Sequence, residues 1–234
     1  MPLPIAVLVS GSGSNLQSII DRIEAGALDV DIKLVISNKA DAYGLERARK
    51  HNIPTRALLH TDYDSREAFD ADMVQAIQES GVDESGVVVM AGFMRIVTHV
   101  FLGAFENRVI NIHPALLPSF AGVHGQGDAA DYGVKISGCT VHFVDEQMDH
   151  GPVIIQAAVP CLPGEGGDGL GARILKMEHR VFPQALQWLA EGRLEIDGRF
   201  VRLKPADQPV AKQPLADVQP ETHALVWPPL EVGF

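Results

Sequence analysis

Cysteine is nearly missing from this chain: Cys139 and Cys161 are the only two in 234 residues. A chain of this length can bury a core without covalent staples, so no disulfide framework is implied and a reducing cytoplasm is the expected setting. No apolar run approaches membrane-span length, and the opening MPLPIAVLVSGSGSN lacks the basic stretch of a signal peptide. Basic residues are also short: 19 Lys and Arg against 30 Asp and Glu give a net charge of −11. That balance argues against a nucleic-acid binder, which shows a basic face. It leaves room for an anionic small molecule, because backbone N–H groups and a few arginines bind anions locally. There is no internal repeat and no Cys-x-x-Cys. His113, His124 and His142 are scattered over different elements, so no metal ligand set with suitable spacing is present.

What is present is alternation. Ile5 to Val9 is a continuous apolar run, as in a strand buried on both faces. SGSGSN follows over Ser10 to Asn15, and then Leu16, Ile19, Ile20 and Ile23 recur at helical spacing, with Gly26 at a helix end. Strand, Gly-rich turn and helix together aim backbone N–H groups at a phosphate. The loop is not a Walker A motif, since no Lys-Ser/Thr follows, and it lacks the third glycine of G-x-G-x-x-G. A single phosphate suits it better than a dinucleotide; a plain tight turn is the alternative.

Further along, DIKLVIS (31–37) and GVVVM (86–90) read as strands and Tyr43–Lys50 as a short helix. A helix with an apolar stripe of Phe69, Met73 and Ile77 opens at Asp64, which forms a capping box with Glu67. Ala91 to Val97 is an apolar loop with one arginine, a composition suited to lining a pocket for a flat ligand. The stretch INIHPALLP ends a further strand. Asn111 and His113 are two apart there and project to one side. Pro114 stops the strand and keeps His113 extended. One side chain is an amide that can donate to an oxyanion, the other an imidazole.

Strands alternating with helices imply a Rossmann-like, doubly wound, mainly parallel α/β sheet, which binds ligands at the carboxyl ends of its strands. SGSGSN, AGFMRIV and Asn111/His113 all follow strands and should share one edge. ISGCTVHFV (136–144) is another strand, with His142 read as a hydrogen-bonded sheet residue that can line the cleft. The acidic loop from Asp145 to His150 closes at Gly151-Pro152, which places Asp149 beside a tight turn. Asp168 to Ala190 is the longest helix; Glu178 falls on its inner stripe and needs a partner, and Pro183 should kink it. Residues 193–203 read as a hairpin with Asp197-Gly198 as the two-residue turn. Six of the fifteen prolines fall in the last thirty residues. The expected organisation is therefore one domain over 1–204 and a Pro-rich tail over 205–234, extended or partly ordered and dispensable for chemistry.

SGSGSNLQSII, SNKADAYGLERA, AGFMRI, INIHPALLPSF and DxGPVI, in that order, closely resemble the phosphoribosylglycinamide formyltransferase family over residues 4–203. The resemblance implies a formyltransferase fold with an antiparallel C-terminal part. It implies transfer of the formyl group of 10-formyltetrahydrofolate, a co-substrate, to the amine of glycinamide ribonucleotide in purine biosynthesis, without a metal. The family's catalytic residues match Asn111, His113 and Asp149. Its phosphate loop matches Gly13, Ser14 and Asn15, and a substrate-binding glutamate matches Glu178. Its folate contacts match Arg66, Met94, Arg95, Ile96, Val97, Asn111, Asp145 and Asp149. Small-molecule partners are implied, with neither nucleic acid nor membrane. The chain departs from the pattern at Ala115, where serine is usual, and over Gly122 to Asp128, where relatives often carry a second histidine or a basic residue and this chain has the extra glycines Gly125 and Gly127. It departs again at Leu175, where some relatives have a lysine. Two alternatives share parts of this pattern. A formyltetrahydrofolate deformylase or methionyl-tRNA formyltransferase has the same trio but typically an extra domain; a non-catalytic binder of a phosphorylated ligand accounts for SGSGSN alone.

Overall fold

The computed structural model describes residues 1–82, 84–206 and 225–234. Its elements follow the expected alternation. β1 (Leu3–Val9) and α1 (Ser14–Glu24) are followed by β2 (Val30–Ser37), α2 (Tyr43–Lys50) and β3 (Thr55–Ala57). Then come α3 (Arg66–Glu79), β4 (Val87–Met90), α4 (His99–Ala104) and β5 (Val109–His113). The second half runs α5 (Gly125–Tyr132), β6 (Ile136–Phe143), β7 (Val153–Pro160), α6 (Gly166–Ala190), β8 (Leu194–Asp197), β9 (Phe200–Leu203) and β10 (Leu225–Trp227).

Among the described residues the strands form one sheet in the order β3-β2-β1-β4-β5-β6-β7-β9-β8, with β10 added on β7. β1 to β5 are parallel, and β6, β7 and the β8–β9 hairpin bring in antiparallel pairing. This is the doubly wound sheet with an antiparallel C-terminal part. β1 shows why the sheet is covered on both sides. Ile5, Val7 and Val9 enter one core with α1, α2 and α6, while Ala6 and Leu8 enter the other with α3 and α4. A strand apolar at every position cannot stand in water on either face. The direction of winding reverses between β1 and β4, which leaves a crevice outside the strand ends.

Two local expectations shift. α3 is capped by Ser65, whose hydroxyl accepts from the Ala68 N–H, and not by Asp64. Both residue types cap well, and Ser65 is the one whose extended backbone (φ −147, ψ 163) leads into the helix. In the hairpin, Asp197 pairs with Phe200, so the two-residue turn is Gly198-Arg199 with Gly198 at φ 59. A positive φ at the first central residue is what glycine supplies at least strain. α6 is a 25-residue helix that contains Pro183.

Residues 207–224, within the proline-rich tail, lie outside the described residues. Residues 225–234 return to the domain. β10 pairs antiparallel with β7, and Phe234 is buried in the core beside α1 and α6. The Phe234 ring lies 4.9 Å from the Arg22 guanidinium, which also donates to the Gly233 carbonyl. Arg193 bridges to Glu231 at 2.7 Å. Among the described residues no helix is long and apolar enough to cross a membrane.

Candidate active site

β4 and β5 end side by side, with Met90 opposite Asn111, and β6 returns antiparallel so that Asn111 faces His142 and His113 faces Thr140. The strand ends open into a cleft of about 480 Å³. Its lining includes Arg66, Met94, Arg95, Ile96, Val97, Asn111, His113, Asp145 and Asp149, which the sequence reading singled out, together with Gly122, Gln126 and His142. Met94, Ile96, Val123 and Met148 leave apolar surface exposed around its mouth, as a largely apolar ligand requires.

Hydrogen bonds fix the protonation pattern on the cleft floor. His142 is 1% exposed, and its Nδ1 lies 2.8 Å from the Phe143 carbonyl. A carbonyl only accepts, so Nδ1 carries the proton, and Nε2 is left to accept from the Asn111 amide Nδ2 at 3.2 Å. Burial pushes the His142 pKa down, which keeps the ring neutral and suits that role. One N–H of Asn111 is thereby held in place, and the other remains to serve a ligand. His113 also directs a ring nitrogen at a carbonyl: Nε2 donates to Phe120 O at 2.9 Å. Its Nδ1 faces Asp149 Oδ2 at 3.5 Å.

Asp149 is set by its backbone as much as by its charge. It lies at φ 53, where only Gly, Asn and Asp are comfortable. Oδ2 accepts the Gly122 N–H at 2.7 Å, and Oδ1 lies 3.9 Å from His142 Nε2. Asp145 holds the same loop together by accepting from the Gln147 N–H and His150 Nδ1. Gly125 now has a reason. A Cβ there would lie 3.0 Å from Phe120 O and 3.2 Å from His113 Nε2, so a side chain would crowd the bond that orients the imidazole.

A second cluster lies outside the lining of this cleft. Asn15, at the start of α1, donates from Nδ2 to Glu178 Oε2 on α6 at 2.8 Å. Both side chains are buried, and burial raises the Glu178 pKa while the Asn15 bond opposes that shift. The Asn15 Oδ1 atom is buried without a partner. Gly13 turns the chain at φ 67 ahead of α1. Ser10, which opens the SGSGSN loop, holds the cleft segment at Met94: its hydroxyl accepts the Met94 N–H at 2.8 Å and donates to Asn38 Oδ1 at 2.6 Å. Ser10, Gly122 and the Phe120 carbonyl escaped the sequence reading, which had no signal for contacts of this range. His142 had one, its two-residue spacing from Thr140 on a strand. Among the described residues, no group of three or more His, Cys, Asp or Glu side chains could hold a metal ion.

Comparison with known proteins gives a consistent picture. A family model described as formyl transferase matches residues 3–186. The chain is 44% identical over 192 residues to the phosphoribosylglycinamide formyltransferase of Escherichia coli strain K12, covering 82% of this chain and 89% of that one. It is 47% identical over 190 residues to the trifunctional purine biosynthetic protein adenosine-3 of Drosophila melanogaster, covering 80% of this chain but only 14% of that much longer protein. Among solved structures it resembles glycinamide ribonucleotide transformylase 1 from Symbiobacterium toebii, with a TM-score of 0.84, 48% identity, and coverage of 87% of this chain and 95% of that one.

Proposed function

Because the chain belongs to the formyl transferase family, we propose that it transfers the formyl group of 10-formyltetrahydrofolate to the amine of glycinamide ribonucleotide, a step of purine biosynthesis. The products are formylglycinamide ribonucleotide and tetrahydrofolate. The observation that carries this reading is the meeting, at one cleft, of the Asn111 amide, the His113 imidazole and the Asp149 carboxylate.

The folate lies in the cleft against Arg66, the 94–97 segment, Asn111, Asp145 and Asp149. The ribonucleotide takes its phosphate to Gly13, Ser14 and Asn15, and Glu178 accepts a polar hydrogen of the same substrate. The amine attacks the formyl carbon, and negative charge develops on the formyl oxygen. The free N–H of Asn111 and the Nδ1–H of a protonated His113 donate to that oxygen, stabilising charge that exists only in the transition state. As the new C–N bond forms, the attacking nitrogen becomes acidic. Asp149 relays its proton toward the folate nitrogen, which leaves with the C–N electron pair. His142 stays neutral and orients Asn111.

The test is to supply purified protein with 10-formyltetrahydrofolate, with and without glycinamide ribonucleotide. The reading predicts formylated ribonucleotide in stoichiometry with tetrahydrofolate and negligible hydrolysis without the amine. Equal folate turnover in both mixtures would favour a deformylase instead.

A further inference from the structure

The segment SNKADAYGLERA has no part in the chemistry above, yet it packs directly on the phosphate loop. We infer that α2, through Gly44 and Arg47, is a brace that sets the phosphate loop so that two of its amides face the substrate. This rests on the reading of that loop as the phosphate site.

Two consecutive peptide units of the loop are held by their carbonyls. The Gly44 N–H, in the first turn of α2, donates to Gly11 O at 3.0 Å. Arg47 Nε donates to Ser12 O at 2.8 Å. A trans peptide is planar, with C=O and N–H antiparallel. Fixing the Gly11 and Ser12 carbonyls toward α2 therefore turns the Ser12 and Gly13 N–H groups away from it. Neither amide donates to any group among the described residues. They stand just ahead of α1, whose first helical residue is Ser14. Donors without partners at a helix start are an anion site.

The contact is too close to be incidental. A Cβ on Gly13 would lie 2.5 Å from the Gly44 Cα, and one on Gly44 would lie 2.9 Å from Val9 Cγ2. Only two glycines let α2 come this near. The arrangement is reciprocal, because α2 has no side-chain N-cap and Gly11 O takes one of its unpaired first-turn amides. Arg47 is itself constrained: Nη1 donates to Gln17 Oε1 at 3.1 Å, and its Cζ lies 4.8 Å from the Tyr43 ring centroid. A guanidinium makes such contacts at fixed angles from one plane, and an ammonium cannot reproduce them.

The experiment compares the parent with Arg47→Met and Arg47→Lys on glycinamide ribonucleotide and on the same compound lacking its phosphate. Misaligning one or two amide donors should raise the ribonucleotide KM about tenfold in Arg47→Met, with kcat and the folate KM within about twofold. The dephosphorylated compound should be used equally well by all three, and Arg47→Lys should fall between. Amide NMR gives the second readout: in the free Arg47→Met protein the Ser12 and Gly13 signals should already be displaced, and inorganic phosphate should move them less than in the parent. Gly44→Ala, which pushes α2 off Val9, should reproduce the selective KM change if Arg47→Met does not fold. If the parent itself does not prefer the phosphorylated compound, the phosphate-loop reading fails and takes the brace with it. If the parent discriminates and Arg47→Met discriminates as strongly, the brace alone is overturned. It is overturned too if KM rises while the free-state Ser12 and Gly13 amides stay unmoved, because Arg47 would then be a direct phosphate ligand.

Discussion

Replacing Asp149 with asparagine removes one charge from the site and almost nothing else. Asparagine tolerates the φ of 53 at this position, so the backbone is not strained. Its oxygen can keep the Gly122 N–H bond of 2.7 Å and still face His113 Nδ1, while its nitrogen takes the place of Oδ1. What is lost, in the proposed mechanism, is the pairing of this carboxylate with a protonated His113 ring 3.5 Å away, and the proton acceptor. Unit charges at 4 Å in an effective dielectric of 20 interact by about 4 kcal/mol. With the Asp149 side chain 11% exposed, we take about half of that value, about 2 kcal/mol or roughly thirtyfold in rate. Loss of the proton relay lowers the rate by a further factor of about 10² or more. Asp149→Asn should therefore reduce kcat/KM by about three orders of magnitude, with both KM values nearly unchanged. The assay is steady-state formyl transfer with matched circular dichroism and thermal melts. A loss below about tenfold, or about 1.4 kcal/mol, in a folded variant would refute the reasoning, because neither charge pairing nor proton relay could then pass through this carboxylate.

Glu178→Gln should improve stability while impairing binding. Burial raises the Glu178 pKa above the ordinary value of 4.5, so the folded state holds that proton more tightly than the unfolded state. Its contribution is complete below pH 4.5 and is lost as pH rises through the raised value. The melting-temperature gap between Glu178→Gln and the parent should widen with pH over that window, and the ribonucleotide KM should rise; parallel melting curves would contradict the assignment. His142 has the opposite sign. Burial lowers its pKa from 6.5, so the unfolded chain binds the extra proton and stability falls as pH drops from 6.5 through the lowered value. His142→Gln should flatten this acid limb in a pH series of urea melts, whereas an unaltered limb would remove His142 as its source. Phe234→Ala should destabilise by about 3 kcal/mol in urea unfolding, as loss of a buried phenyl does, with kcat within a few-fold of the parent where the variant is folded. A shift under about 1 kcal/mol would mean that the last residues do not hold α1 and α6 together.

The order and type of the main elements were legible in the sequence because they follow from short-range periodicity. β1 is apolar at each of Ile5 to Val9 and is covered on both faces, and Glu178 on the inner stripe of α6 is buried with a partner, as the pattern required. The carboxyl-edge rule likewise brings the 94–97 loop and Asn111/His113 to one cleft, although nothing in the local sequence shows the distance between them. The frame of a turn was already beyond reach. Asp64 and Ser65 are both good caps, and only the extended backbone at Ser65 chooses between them. Asp197-Gly198 is a good turn pair, but the pairing of Asp197 with Phe200 moves the turn one residue on.

What tertiary structure alone decided is the partnership of groups distant in sequence. Asn15 meets Glu178 across 163 positions, Arg47 meets Ser12 across 35 and Asn111 meets His142 across 31. Residues 225–234 come back to close over Arg22, a contact that the proline count of the tail does not show. A side chain's periodicity tells which face it occupies. A hydrogen bond further requires two atoms to come within about 3 Å at the right angle, and that distance is set by how whole helices and strands pack.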